Sequence, residues 1–113
     1  MARNDKVERP TKKSEYEIKF ASRQAEKGWM DLKATMRNSL VDSWDFLTRT
    51  PLSQSPSNYP LKGELETLVY GDREHKRWQH KPTIQGDARI WFFVIDQIVY
   101  LEAVHTQHPN QTK

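Results

Sequence analysis

The sequence predicts an α+β domain: an N-terminal strand, a helical hairpin, then a four-stranded antiparallel meander, with the helices on one face of the sheet. Three observations predict it. Apolar residues alternate at Tyr16, Ile18 and Phe20, a period of two that belongs to a half-buried strand. Between Ser22 and Thr50 they recur at three and four residues. Beyond Pro60, short apolar or alternating runs follow one another with turn residues between them. Helices bunched early and strands bunched late pack as a helical layer on one sheet face, so functional residues belong on the other.

Each element has its own signal. Ser22 is a suitable N-cap, and Ala25, Trp29, Leu32 and Met36 line one side of the helix that follows it. Leu40, Trp44 and Leu47 repeat the pattern, with Thr35 as cap of the second helix and Pro51 just beyond its end. Thr50 to Pro60 holds three prolines and three serines without periodicity and reads as a loop. The meander is then Leu65 to Tyr70, His75 to Lys81, Ala88 to Ile95 and Ile98 to Thr106, punctuated by Gly71-Asp72, by Pro82 to Asp87, and by Asp96-Gln97. The Ala88 to Ile95 run is apolar on both faces apart from Arg89, which places it at the sheet centre.

Composition bounds the function. The chain has 113 residues and no cysteine, which is one domain's length and excludes disulfides and thiolate metal sites. Its longest unbroken apolar run, Ile90 to Ile95, is six residues, against about 20 for a membrane span. The expected setting is cytoplasmic. Residues 1–13 hold five basic and two acidic residues and so carry the whole net charge of +3. This segment reads as a flexible basic arm, either a solubilising tail or a contact for phosphate or an acidic partner. Residues 14–113 form the domain, with 13 basic residues matched by 13 acidic ones. Any nucleic-acid site on it must come from local clustering.

The order of elements, together with Leu61-Lys62-Gly63-Glu64-Leu65, His75-Lys76-Arg77-Trp78-Gln79, Ala88-Arg89-Ile90-Trp91-Phe92 and Val104-His105-Thr106-Gln107-His108-Pro109, resembles the RelE/ParE toxin superfamily of type II toxin-antitoxin systems over Tyr16 to Pro109. The resemblance implies a small toxin with a curved sheet, neutralised by a cognate antitoxin. Many such toxins cleave messenger RNA, typically on the ribosome and without a metal; others poison DNA gyrase. A degenerate member binding only its antitoxin or operator is the remaining alternative. Fold alone does not choose among these.

Metal-free RNA cleavage uses the substrate's 2′-hydroxyl as nucleophile and needs a base, an acid and a charge stabiliser. Histidine suits the transfers because its ordinary pKa of about 6.5 lies near working pH. Arginine suits the third role because its planar fork binds phosphate oxygens in pairs. Arg89 lies on the face of Trp91 and Phe93, in the most apolar strand; in the resembling family an arginine at the start of this strand contacts the scissile phosphate. The structural alternative is an ion pair with Asp87 or Glu102. His105 and His108 follow the last strand, where the family places a catalytic residue, often tyrosine or arginine. Strict alternation puts His105 on the Val99 and Leu101 face. In the second run of the meander, His75, Arg77, Gln79 and Lys81 share one face and Lys76, Trp78 and His80 the other. Arg77 and Lys81 suit a phosphate track or a solvated face, and Trp78 either packs or stacks a base. Lys62 stands where the family has a basic residue near RNA. No cysteine is available to complete a metal site with the histidines, and no metal or cofactor is expected.

Overall fold

The computed structural model describes residues 7–109. Strand β1 (Glu17–Phe20) leads into helices α1 (Arg23–Thr35) and α2 (Arg37–Arg49). Strands β2 (Asn58–Pro60), β3 (Thr67–Tyr70), β4 (Arg73–Lys76), β5 (Trp78–His80), β6 (Arg89–Ile95) and β7 (Ile98–His105) follow, with a short 3-10 turn at Gly63–Leu65. Two sheets result. One has five strands in the order β1-β7-β6-β5-β2, with β1 parallel to β7 and the rest antiparallel; the other is the β3-β4 hairpin. β6 is the central strand, as its apolar run predicts.

The helical hairpin covers one face of the large sheet. Ala25, Leu32, Leu40 and Leu47 meet Trp78, Ile90, Phe92, Val99, Leu101 and Val104 in one core. Ser22 caps α1 through the Ala25 N–H, at 3.0 Å. Thr35 does not cap α2: its hydroxyl donates back to the Asp31 carbonyl at 3.0 Å, and Met36 alone links the helices at φ −147°. Gly28 lets α1 rest directly on β7. A Cβ there would lie 2.1 Å from the Val104 carbonyl oxygen and 2.8 Å from the Val104 Cβ. Because the obstacle is strand backbone, Gly28→Ala is expected to destabilise the fold by about 1–3 kcal/mol by overpacking, despite alanine's gain of about 1 kcal/mol in helix propensity. Urea unfolding reads this directly, and equal midpoints would refute the close approach.

The four-strand meander predicted from sequence is corrected in two places. The run His75 to Lys81 is not one strand. It breaks at Arg77, whose N–H donates to the Glu66 carbonyl and whose carbonyl accepts from the Leu61 N–H, both at 2.9 Å, so its halves enter different sheets. β4 turns back onto β3 through Gly71 (φ 61°) and Asp72 (φ 65°), the paired positive φ values that a two-residue hairpin of this type needs. The second correction is β2, which arises inside the predicted loop. Buried Asn58 organises it: its Nδ2 donates to the Pro51 and Ser53 carbonyls at 2.8 and 2.9 Å. Its Oδ1 accepts from His80 Nδ1 at 3.1 Å.

That last bond determines the His80 tautomer. Since Nδ1 donates, Nε2 accepts the Ser43 hydroxyl 2.9 Å away. The ring also stacks on Phe46 at 5.3 Å. Burial pushes the pKa of His80 down to about 4, and the neutral ring locks the edge strand to α2.

The described part of the N-terminal arm folds back on the domain. Arg9 pairs with Glu15 at 3.1 and 3.3 Å and lies 5.7 Å from the centre of the Trp44 ring. The Lys12 N–H donor, with the Arg9 guanidinium beside it, holds the Glu15 carboxyl below its usual pKa. Residues 1–6 lie outside the described residues.

Candidate functional site

The face away from the helices holds the candidate site, and a β-bulge in β7 shapes it. Pairing runs Arg89 with His105, Ile90 with Val104 and Trp91 with Ala103, then Phe92 with Leu101. Glu102 is therefore an extra residue without a partner in β6. One inserted residue reverses the alternation beyond it. His105 thus leaves the Val99 and Leu101 face to which strict alternation assigns it and joins Arg89 and Trp91 on the open face. Helix α1 satisfies the backbone along this stretch. Ser22 Oγ donates to the Glu102 carbonyl at 2.7 Å, while the Gln24 side chain both donates to the Val104 carbonyl and accepts its N–H, at 2.8 and 2.9 Å.

Arg89 and His105 are direct cross-strand neighbours, a position that brings Cβ atoms within about 5.5 Å. Arg89 is 6% exposed, and its Nη1 donates to the Gly86 and Ala88 carbonyls, each at 2.8 Å. Neither Asp87 nor Glu102 pairs with it, and among the described residues it has no carboxylate partner. Among the described residues its Nε is buried without a hydrogen-bond partner, and so is Nε2 of His105. Burial holds the pKa of His105 below the ordinary value, partly opposed by the negative charge of Glu102. The imidazole is therefore neutral near pH 7, its ring edge-on to Trp91 at 4.5 Å.

Around this pair the side chains are tightly tied. Trp91 Nε1 donates to Gln79 Oε1 at 2.9 Å, and Gln79 Nε2 donates to the Tyr59 hydroxyl at 2.8 Å. The Lys81 ammonium lies 5.4 Å from the Tyr59 ring centre. Arg77 lies over Trp91 at 5.2 Å, and its Nε and Nη2 grip the two Glu102 oxygens at 2.7 and 2.6 Å. At the far end the β3-β4 hairpin folds onto this same face. Tyr70 meets Phe93 and Tyr100 at 4.9 and 5.3 Å, and His75 stacks on Phe93 at 5.2 Å. Phe93 is thereby fully buried on a face the helices do not touch.

The structure therefore gathers Arg77, Lys81, Arg89 and His105 on one surface and leaves three sequence candidates apart from them. Trp78 lies in the core beneath the helices, 8% exposed and stacked with Phe92 at 6.1 Å; packing, the first of its two readings, is what the geometry gives. Lys62 is exposed at the start of the 3-10 turn. His108 lies beyond β7, half-buried, with Nδ1 donating to the Pro109 carbonyl at 2.8 Å. Sequence reasoning placed Gln79 on the face of Arg77 and Lys81 but missed its bonds to Trp91 and Tyr59, and it missed Glu102 and Tyr59 as parts of the face. For Tyr59 the local pattern held no signal, because β2 and its register were unforeseen.

Chemically, the surface offers a buried cation without a carboxylate among the described residues, a neutral imidazole beside it, and further cations along the rim. A guanidinium kept from water without a counter-charge is costly, so the arrangement favours an anion. No helix among the described residues is long and apolar enough to cross a membrane.

No protein-family model and no curated protein matches the sequence. A solved structure that does resemble the chain is the crystal structure of the archaeal RelE–RelB complex from Pyrococcus horikoshii OT3. It superposes with a TM-score of 0.54 at 16% identity, covering 79% of this chain and 91% of that one. Helical hairpin, parallel β1, central β6 and bulged β7 therefore make up a RelE-like fold.

Proposed function

We propose that the protein is the toxin of a type II toxin-antitoxin system, acting in the cytoplasm as a metal-independent endoribonuclease on messenger RNA, on the ribosome, and held in check by a cognate antitoxin. The observation that carries this reading is the cross-strand pair of Arg89 and His105 on the open face of a RelE-like fold. His105, neutral at working pH, takes the proton from the 2′-hydroxyl. Arg89 stabilises the charge that develops on the phosphorane. The proton that His105 takes up returns to the leaving 5′-oxygen through water, while Lys81 and Arg77 track the backbone; His108 and Lys62, apart from this surface, are given no step. The RelE–RelB complex supports the antitoxin partner by analogy of fold.

Induction of the wild type, of Arg89→Ala and of His105→Ala/His108→Ala, followed by mapping of message 5′ ends, tests the reading. New 5′ ends and growth arrest are expected for the wild type alone. One observation favours a second reading, a non-nuclease toxin directed at gyrase or a partner-only binder: Arg77 is already neutralised by Glu102. Arrest with intact messages and double-strand DNA breaks would select it.

A further inference from the structure

We infer that Glu102 is an internal anion that guards the open face: its carboxylate occupies, on Arg77, the place that an incoming phosphate takes, and binding of a phosphodiester requires its displacement. The inference rests on the reading of this face as a phosphate site and adds to it a residue that opposes binding.

Four observations lead there. The two Arg77–Glu102 contacts, at 2.7 and 2.6 Å, use the guanidinium fork edge-on, the geometry with which arginine takes two oxygens of a phosphate. Glu102 is the bulge residue, bound to no partner on β6, so its side chain is set by the fork and not by the ladder. The two side chains are 12% and 25% exposed, which leaves the carboxylate at the rim, where water and ligand reach it. Arg77 itself stays in place without Glu102, because Nη1 donates to the Leu65 carbonyl at 3.2 Å and the guanidinium rests on Trp91. Arg89, on the same face, has no such carboxylate among the described residues. The face is thus half masked: one arginine is neutralised in advance and the other is left for the ligand.

The consequence differs from that of an ordinary structural ion pair. When phosphate replaces Glu102, the ion released is part of the protein, so Arg77 adds little to the salt dependence of binding. Glu102→Gln keeps the size of the side chain but removes its charge and one of the two acceptors that the fork holds. With a 2′-O-methylated single-stranded oligoribonucleotide, which cannot be cleaved through its 2′-oxygen, Glu102→Gln is expected to bind about tenfold tighter. Its slope of log affinity against log salt is expected to be steeper by about 0.7, one additional phosphate's worth. Both gains vanish when Arg77→Gln is added.

Where the wild type binds the oligonucleotide, unchanged or weaker binding by a Glu102→Gln protein with native thermal unfolding overturns the inference, as does a gain that survives Arg77→Gln. Inorganic pyrophosphate, measured in parallel by calorimetry, separates this claim from the one beneath it. Tighter pyrophosphate binding by Glu102→Gln, with no oligonucleotide binding by either protein, keeps the guard and removes the RNA reading. Binding of neither probe to Glu102→Gln overturns the guard.

Discussion

Arg89→Met is expected to lower RNA cleavage by at least a hundredfold while leaving thermal stability unchanged or raised. Removing one preoriented donor that faces the developing charge typically costs about 10² to 10³ in rate. Stability moves the other way because of what surrounds the guanidinium. It is 6% exposed, has no carboxylate partner among the described residues, and leaves Nε without an acceptor. Replacing a buried charge by an apolar side chain of similar reach removes a desolvation cost. Against this stands the loss of two bonds to the Gly86 and Ala88 carbonyls, each worth roughly 1 kcal/mol net. Single-turnover cleavage and a thermal melt on the same preparation decide the matter. A protein that melts well below the wild type would make Arg89 a structural residue that secures the loop before β6, and the loss of activity would then say nothing about phosphate.

The second large effect is on stability and comes from His80. Its pKa falls from the ordinary 6.5 to about 4 through burial, so between these values the unfolded chain holds a proton that the folded one lacks. Stability therefore rises with pH across this window and is level above it. Lowering the pH from 6.5 to 4 is expected to remove about 3 kcal/mol, since each pH unit between the two values is worth roughly 1.4 kcal/mol and the loss tapers as the folded pKa is reached. The physical event is protonation of Nε2, which turns it from acceptor of the Ser43 hydroxyl into a charged donor inside the core. His80→Gln is expected to be less stable at pH 7.5 by about 1–3 kcal/mol, since Ser43 and Asn58 lose a well-placed partner, but to show a flatter profile between pH 6.5 and 4. Urea midpoints at four pH values for both proteins give the comparison. Parallel profiles would assign the acid sensitivity elsewhere, with His105, also held below its ordinary pKa, the next group to replace. Glu15, whose carboxyl is held below its ordinary 4.5, adds a loss of its own as the pH falls below about 4.5, at the acid end of the same window.

Both expectations concern residues whose roles the sequence showed unequally. Arg89 stands out as the one charge at the start of an apolar run, and period two puts it with Trp91 and Phe93; that this face is the one opposite the helices is decided by the packing of Ile90 and Phe92 in the core. His80 carries no such mark: it alternates onto the core face with Trp78, but the partners that make it neutral lie 22 and 37 residues away in sequence. Asn58, inside a stretch of prolines and serines, reads as loop because a buried, fully bonded amide has the same local composition as an exposed one. The break at Arg77 was invisible for a related reason. Residues 75–81 alternate correctly on both sides of it, and only backbone bonds to Leu61 and Glu66 redirect the chain.

What the sequence by itself determined is whatever depends on local periodicity: the first strand, the two helices with the Ser22 cap, the central place of β6, and the burial of the helix-facing side chains. The tertiary structure decided what depends on register between distant segments. A single bulge residue, Glu102, carries His105 across to the face of Arg89 and leaves its own carboxylate on Arg77. Period two describes one strand and fixes side chains relative to their own neighbours. Which faces of two strands coincide is set by pairing, and one extra residue inverts it without altering the composition of either.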